Sequence, residues 1–196
     1  MFKHLIIASL LVCAWLGSAY AEEDAAIHQE LRGLLKQAEN AINSGNYDAM
    51  LPILSKNLRI TPINQEFLSS RKDVSDYFKK WFGEGGYLKK LHITFTPDAL
   101  TELSDDKSWG LVWGTGEEDY ILADGRSFDM KTRWTAVVVK EEDGHWRIRG
   151  MHVATNFLDN PILSAAEDSV KYFGIGGLLV GLLVGFGLAR LLRRRR

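Results

Sequence analysis

Apolar positions recur along this chain with three different periods, and each period predicts a different kind of element. From Asp24 to Asn43 the residues Ile27, Leu31, Leu34, Leu35, Ala38 and Ile42 fall at helical spacing with charged residues between them, and Gly45 closes the pattern. The spacing predicts an amphipathic helix. A shorter helix is expected from Asn46 or Asp48, burying Met50, Leu51 and Leu54, with Pro52 tolerated near its first turn. Leu58 to Ile63 reads as a short strand that Pro62 confines to an edge or an end. Ser70, with Asp73 three residues on as a capping partner, predicts the start of a third helix whose apolar face is Val74, Tyr77, Phe78, Trp81 and Phe82.

From Leu88 onward the period drops to two. Strands are predicted over Leu88 to Thr96, Ala99 to Leu103, Trp109 to Thr115, Asp119 to Ala123, Phe128 to Lys140 and Trp146 to Thr155. Asp124-Gly125 and Asp143-Gly144 mark hairpin turns, because these pairs accept positive φ at low cost. Glu117-Glu118-Asp119 lacks the alternating oxygen-ligand spacing of a calcium loop and reads as a solvated acidic turn. Three helices followed by an antiparallel meander predict an α+β domain with its helices collected on one face of the sheet.

The third pattern has no polar phase. Tyr172 to Ala189 is an unbroken run of apolar residues and glycine, and its 18 residues reach about 27 Å as a helix, close to the hydrocarbon thickness of a bilayer. Arg190 and the four arginines that end the chain place all the charge at one end, which the positive-inside bias assigns to the cytoplasm. At the other terminus, Lys3, an apolar stretch from Leu5 to Leu16 and the Ala19-Tyr20-Ala21 site have the form of a secretory signal. The expected organisation is a signal peptide over 1–21, a folded domain over 22–160, a juxtamembrane stalk over 161–171, a transmembrane helix over 172–192 and a basic cytoplasmic tail over 193–196. The expected address is a bacterial inner membrane, crossed once, with the domain in the periplasm and the C-terminus in the cytoplasm. Gly177, Gly181 and Gly185 line one stripe of the apolar helix, where another helix can approach closely. Glycine is also simply common in membrane helices, and the run with its arginines further resembles a processed C-terminal sorting signal; all three readings stand.

Charge changes the picture of the domain. Removing Lys3, Arg190 and the four terminal arginines from the 24 basic residues leaves 18 against 25 acidic ones, so the segment between the apolar ends carries −7 while the whole chain carries −1. A domain of that sign is not expected to bind nucleic acid. The single cysteine, Cys13, lies within the signal-like stretch, so the mature fold is expected to hold by burial without disulfides.

Several short motifs occur together: Trp113-Gly-Thr-Gly116, Ala123-Asp-Gly-Arg126, Arg133-Trp-Thr135 and Glu142-Asp-Gly-His-Trp-Arg-Ile148 followed by His152. In this combination the chain from Asp24 to Leu158 resembles the SnoaL-like branch of the nuclear-transport-factor-2-like superfamily. The resemblance implies a cone: a strongly curved antiparallel sheet packed against three N-terminal helices, with a pocket between the concave face and the helices. It also implies a choice among isomerase, dehydratase or cyclase chemistry, plain ligand binding, and dimerisation through the sheet, which the fold alone does not decide. In the ketosteroid isomerases of that superfamily a carboxylate base stands where this sequence has Thr61, and an oxyanion-donating tyrosine stands where it has Ala38. A threonine hydroxyl does not take a carbon-bound proton near neutral pH.

His152 is the best remaining polar candidate. Alternation gives it the parity of Trp146, Ile148 and Ala154, turning it toward the apolar side, where it is either a general base or anion ligand or a core histidine satisfied by a carbonyl. Asn156 shares that face and that ambiguity. Trp113, Arg133 and Trp134 lie on central strands; one tryptophan is expected to line the pocket or core, and Arg133 either binds a carboxylate ligand or pairs with an acidic neighbour. His28 and His92 are expected on exposed faces and His145 in a turn, none with a partner at metal-ligand spacing, so no metal and no cofactor is expected. The site set is therefore Thr61, Trp113, Arg133, Trp134, His152 and Asn156. The favoured reading is a membrane-tethered module that binds a small apolar or weakly acidic molecule without catalysis. The alternatives are a homodimeric interaction scaffold and an isomerase or hydrolyase that uses His152 as base.

Overall fold

The computed structural model describes residues 24–194. The expected signal segment with Cys13, and the last two arginines of the basic tail, lie outside the described residues. The chain divides into two compact units, one ending at Thr155 and the other beginning at Asn156.

In the first unit helix α1 occupies residues 24–44 and ends where Gly45 takes φ +73°. Its buried stripe is Ile27, Leu31, Ala38, Ala41 and Ile42. A 3-10 helix over Tyr47–Ile53 follows, holding Pro52 and burying Met50 and Ile53. Strand β1 runs over Leu54–Thr61, starting four residues earlier than the pattern predicts because Leu54 already pairs with the sheet. Helix α2, Arg71–Phe82, begins as the capping signature predicts. Ser70 Oγ accepts from Asp73 N, and Asp73 Oδ2 accepts from Ser69 N. Tyr47 stacks on Phe78 at 4.1 Å between ring centroids, tying α2 to the 3-10 helix.

The sheet has six strands in the order β1-β6-β5-β4-β2, with the two-residue β3 (Glu102–Leu103) paired to β4. The others are β2 (Leu88–Pro97), β4 (Trp109–Leu122), β5 (Ser127–Lys140) and β6 (Trp146–Thr155). Every pairing is antiparallel except one: β1 runs parallel to β6, so the sheet is mixed where the sequence pattern predicts an antiparallel one. The Asp-Gly turns form as expected, with Gly125 at φ +89° and Gly144 at φ +80°.

Strand β4 differs most from its prediction. It is one element through Glu117-Glu118-Asp119, not two strands with an acidic turn between them. The charges at 117 and 119 face outward while Gly116, Glu118 and Leu122 are buried and Tyr120 half-buried on the inner face. Gly114 and Gly116 allow the sheet to close over itself. A Cβ on Gly114 would sit 2.2 Å from the Thr96 carbonyl oxygen, and one on Gly116 would sit 2.4 Å from Thr132 Oγ1.

Helix α1 packs on the concave face, against Phe95, Trp134, Ala136, Val138 and Ile148 among others. Polar side chains fix it there. Asn43 Nδ2 donates to the Ile93 carbonyl at 2.9 Å and its Oδ1 accepts from Ile93 N at 2.7 Å, while Glu39 Oε1 accepts from Phe95 N at 2.7 Å. These three bonds satisfy backbone groups along β2, the edge strand, and cover that edge with a helix.

The second unit is dominated by helix α3, Pro161–Arg194. Asn160 caps it, its Oδ1 accepting from Ile162 N at 3.1 Å and Leu163 N at 3.0 Å, and proline occupies the first helical position. The expected stalk is thus the opening turns of the same helix that carries the apolar run. By length and composition α3 can cross a membrane. Its apolar side chains from Tyr172 to Leu188 are exposed on every side, including Phe173, Leu179, Leu183 and Phe186, so no single face could bury them against one neighbour.

Candidate ligand-binding site

The concave face and α1 enclose two adjoining cavities. The outer one, about 310 Å³, lies under α1 and is walled by Leu31, Leu34, Leu35, Trp134, Val138 and their neighbours. His28, Arg32 and Thr101 are its polar lining residues. The inner one, about 110 Å³, is bordered by α2, β1, β2 and β4. Ala38, Phe95, Ile148 and Met151 line both. Phe95 meets Trp134 edge-on at 5.6 Å between centroids, which holds both rings in the wall. Ala38 is where the resemblance expected a tyrosine, and its small side chain faces both spaces.

The inner chamber holds the group the sequence reading missed. Glu118, 3% exposed, lines it together with Tyr120 and Tyr77. Thr132 Oγ1 donates to Glu118 Oε1 at 2.8 Å, and the Tyr120 hydroxyl donates to Oε2. Burial pushes the Glu118 carboxyl above its usual range, against the lowering influence of these two hydrogen bonds. Burial, and then the neighbouring Glu118 charge, raises the Tyr120 phenol; burial, and then the charges of Glu66 and Glu118, raises Tyr77. Ser55, Glu118 and Thr132 are the buried polar side chains among the described residues, and two of the three make this one cluster. The signal was available: Glu118 has the parity of Gly116, Tyr120 and Leu122, but flanking acids made the segment look like a turn.

The residues singled out from the sequence do not converge on these cavities. Of them Trp134 lines the outer cavity; it is 3% exposed, and its indole nitrogen donates to the Thr115 carbonyl at 2.8 Å. His152 is exposed on the outer face. The reason is a bulge: Val138 pairs with Ile148 but Val137 pairs with Gly150, so Arg149 is an extra residue and the alternation reverses after it. Met151 and Val153 therefore take the inward positions that parity had assigned to His152 and Ala154. Thr61 and Thr135 pair with His152 from the two sides, and Trp113 pairs with Thr135, so these residues form a lateral row on the outer face. Arg133 lies on that face too, bound through both terminal nitrogens to Asp98 at 3.1 and 2.6 Å. Asn156 is exposed in the turn after β6, where its Oδ1 accepts from Leu158 N at 3.1 Å. His28 is half-buried at the outer cavity, not exposed. Among the described residues no cluster of three His, Cys, Asp or Glu side chains is placed to hold a metal ion.

Comparison with known proteins agrees with this architecture. Residues 31–155 match the profile of the SnoaL-like domain. No curated protein matches the chain. Among solved structures, a hexachlorocyclohexane dehydrochlorinase of type 2 superposes with a TM-score of 0.62 at 12% identity, over 69% of this chain and 90% of that one. A putative scytalone dehydratase from Novosphingobium aromaticivorans superposes with a TM-score of 0.60 at 8% identity, over 70% and 89%. A nuclear transport factor 2-like superfamily protein from Salmonella enterica superposes with a TM-score of 0.55 at 13% identity, over 67% and 92%. At these identities the likeness concerns the fold alone.

Proposed function

This chain belongs to the SnoaL-like domain family, and we propose that it uses the cone of that fold to bind one small, largely apolar molecule without covalent chemistry, tethered to a membrane by α3. The observation that carries this reading is the outer cavity, a space of about 310 Å³ whose walls are almost wholly aliphatic and aromatic. Arg32 and His28, among its lining residues, suit a guest that is weakly acidic at its outer end. Catalytic members exist in this fold, but His152 and Thr61 lie on the outer face, away from a guest in the cone. The terminal arginines support an orientation with the domain on the periplasmic side of a bacterial inner membrane. Native mass spectrometry of the full-length protein taken from membranes tests the reading. A bound small molecule in the wild type, absent from Ala38→Phe, is the expected result; bare protein in both would refute it.

A second reading is favoured by one observation on the outer face. Trp109 is 48% exposed there, and Leu111, Trp113, Val137 and Val139 form a half-buried apolar strip around it. Such a strip supports a homodimeric scaffold, with the Gly177, Gly181 and Gly185 stripe reinforcing it. A monomer by light scattering on the full-length protein would count against this second reading and leave the first untouched.

A further inference from the structure

The outer cavity explains a greasy guest but not the carboxyl group beyond it. An ionisable side chain buried in an otherwise apolar cone costs stability unless it is paired, and among the described residues Glu118 has no cationic partner. Its two oxygens each accept one hydroxyl, from Thr132 and Tyr120, which leaves acceptor capacity on both. Tyr77 reaches the same chamber from α2, and its hydroxyl makes no hydrogen bond among the described residues. The inner chamber thus offers an acceptor and a donor, from different elements, around a space of about 110 Å³.

We propose that the inner chamber is a subsite for a single uncharged hydroxyl group, which donates to Glu118 and accepts from Tyr77 while the apolar body of the same molecule fills the outer chamber. This rests on the ligand-binding reading and gives the guest a direction. An alcohol suits the subsite in either protonation state of Glu118, because a hydroxyl both donates and accepts. A carboxylate does not. Its charge would be desolvated next to a buried carboxyl, and among the described residues no cation lines the chamber to offset that cost. An acidic group on the guest therefore belongs at the other end, near Arg32. The walls shared by the two cavities, Ala38, Phe95, Ile148 and Met151, carry no polar side chain that would hold a hydroxyl midway.

Three probes with one skeleton separate these terms: decalin, 2-decalol and decalin-2-carboxylate. Binding is measured by equilibrium dialysis against full-length protein in lipid nanodiscs, with empty discs subtracting partition into lipid. The expected order is decalol about tenfold tighter than decalin, a difference set by one or two net hydrogen bonds, while the carboxylate, turned toward Arg32, should bind the wild type and Tyr77→Phe equally. Glu118→Leu should bind decalin and decalol equally. Tyr77→Phe, which removes only a hydroxyl, should lose part of the preference even if the leucine variant fails to fold. Equal binding of decalin and decalol by the wild type would overturn the subsite and leave the cavity reading standing. A decalol preference that survived unchanged in Tyr77→Phe and Glu118→Leu would overturn it too, placing the hydroxyl away from the inner chamber. Failure of all three probes to bind would overturn both readings.

Discussion

Thr132 donates a 2.8 Å hydrogen bond to Glu118 on the neighbouring strand, and the two side chains are only 4% and 3% exposed. A hydroxyl and a carboxyl group have been drawn into a core built almost wholly from aliphatic and aromatic residues. Because burial is the larger influence on the carboxyl, the folded protein holds the Glu118 proton to a higher pH than the unfolded chain does. Below the unfolded value both states are protonated and the group is neutral to stability. As pH rises above it, the unfolded chain ionises first, and stability falls until the folded group ionises as well. Glu118→Gln keeps the shape without the titration. The difference in melting temperature should therefore level off below pH 4.5 and change toward neutrality, with the wild type falling relative to the variant. A gap that stayed constant over this range would show that burial does not shift the carboxyl.

Asn43 serves a different end, closing both backbone groups of Ile93 at 2.7 and 2.9 Å. Removing its carboxamide leaves an N–H and a carbonyl of the edge strand without partners beneath a helix. Asn43→Ala should lower stability by about 2–3 kcal/mol, whereas Asn40→Ala, at an exposed position of the same helix, should change it by no more than about 0.5 kcal/mol. Urea unfolding of the two variants measures the difference. Equal effects would mean that water satisfies Ile93 as well as Asn43 does.

Gly114 fixes how tightly the sheet bends. With a Cβ placed 2.2 Å from the Thr96 carbonyl oxygen and 2.7 Å from the Trp134 ring, Gly114→Ala must push β2 or the indole aside. The expected cost is about 1–3 kcal/mol, with changed Trp134 fluorescence as the sign of displacement. An unchanged melting temperature and spectrum would show that the strand relaxes freely.

Helix α3 presents apolar side chains around its whole circumference from Tyr172 to Leu188. Full-length protein should remain with vesicles through alkaline carbonate, and a chain ending at Lys171 should be released by the same wash. Release of the full-length form would remove the membrane reading.

Much of this fold was legible in the sequence, for identifiable reasons. The stripe from Ile27 to Ile42, the Ser70 and Asp73 cap and the two Asp-Gly turns are local signals, and each formed within a residue or two of its predicted place. Pairing direction is not local: nothing in Leu58 to Ile63 says that the strand lies parallel to the much later β6, with Thr61 beside His152. The site was misread at two points. One inserted residue, Arg149, reversed the facing of everything after it and carried His152 to the outside. At Glu118, three consecutive acids concealed an alternation in which the outer two were solvated and the middle one was the polar centre of the cone. Trp134 was recognisable because nothing interrupts the alternation of β5 around it.

The account turns on the space beneath α1 being open and apolar. X-ray diffraction from crystals of the full-length protein pressurised with xenon tests this directly, since xenon enters dry apolar cavities and not close-packed cores. The account predicts xenon in the outer chamber between Leu35, Trp134 and Met151, and none there in Ala38→Phe. A wild-type cone closed by inward movement of Phe95 and Trp134, with no xenon beneath α1, would contradict it.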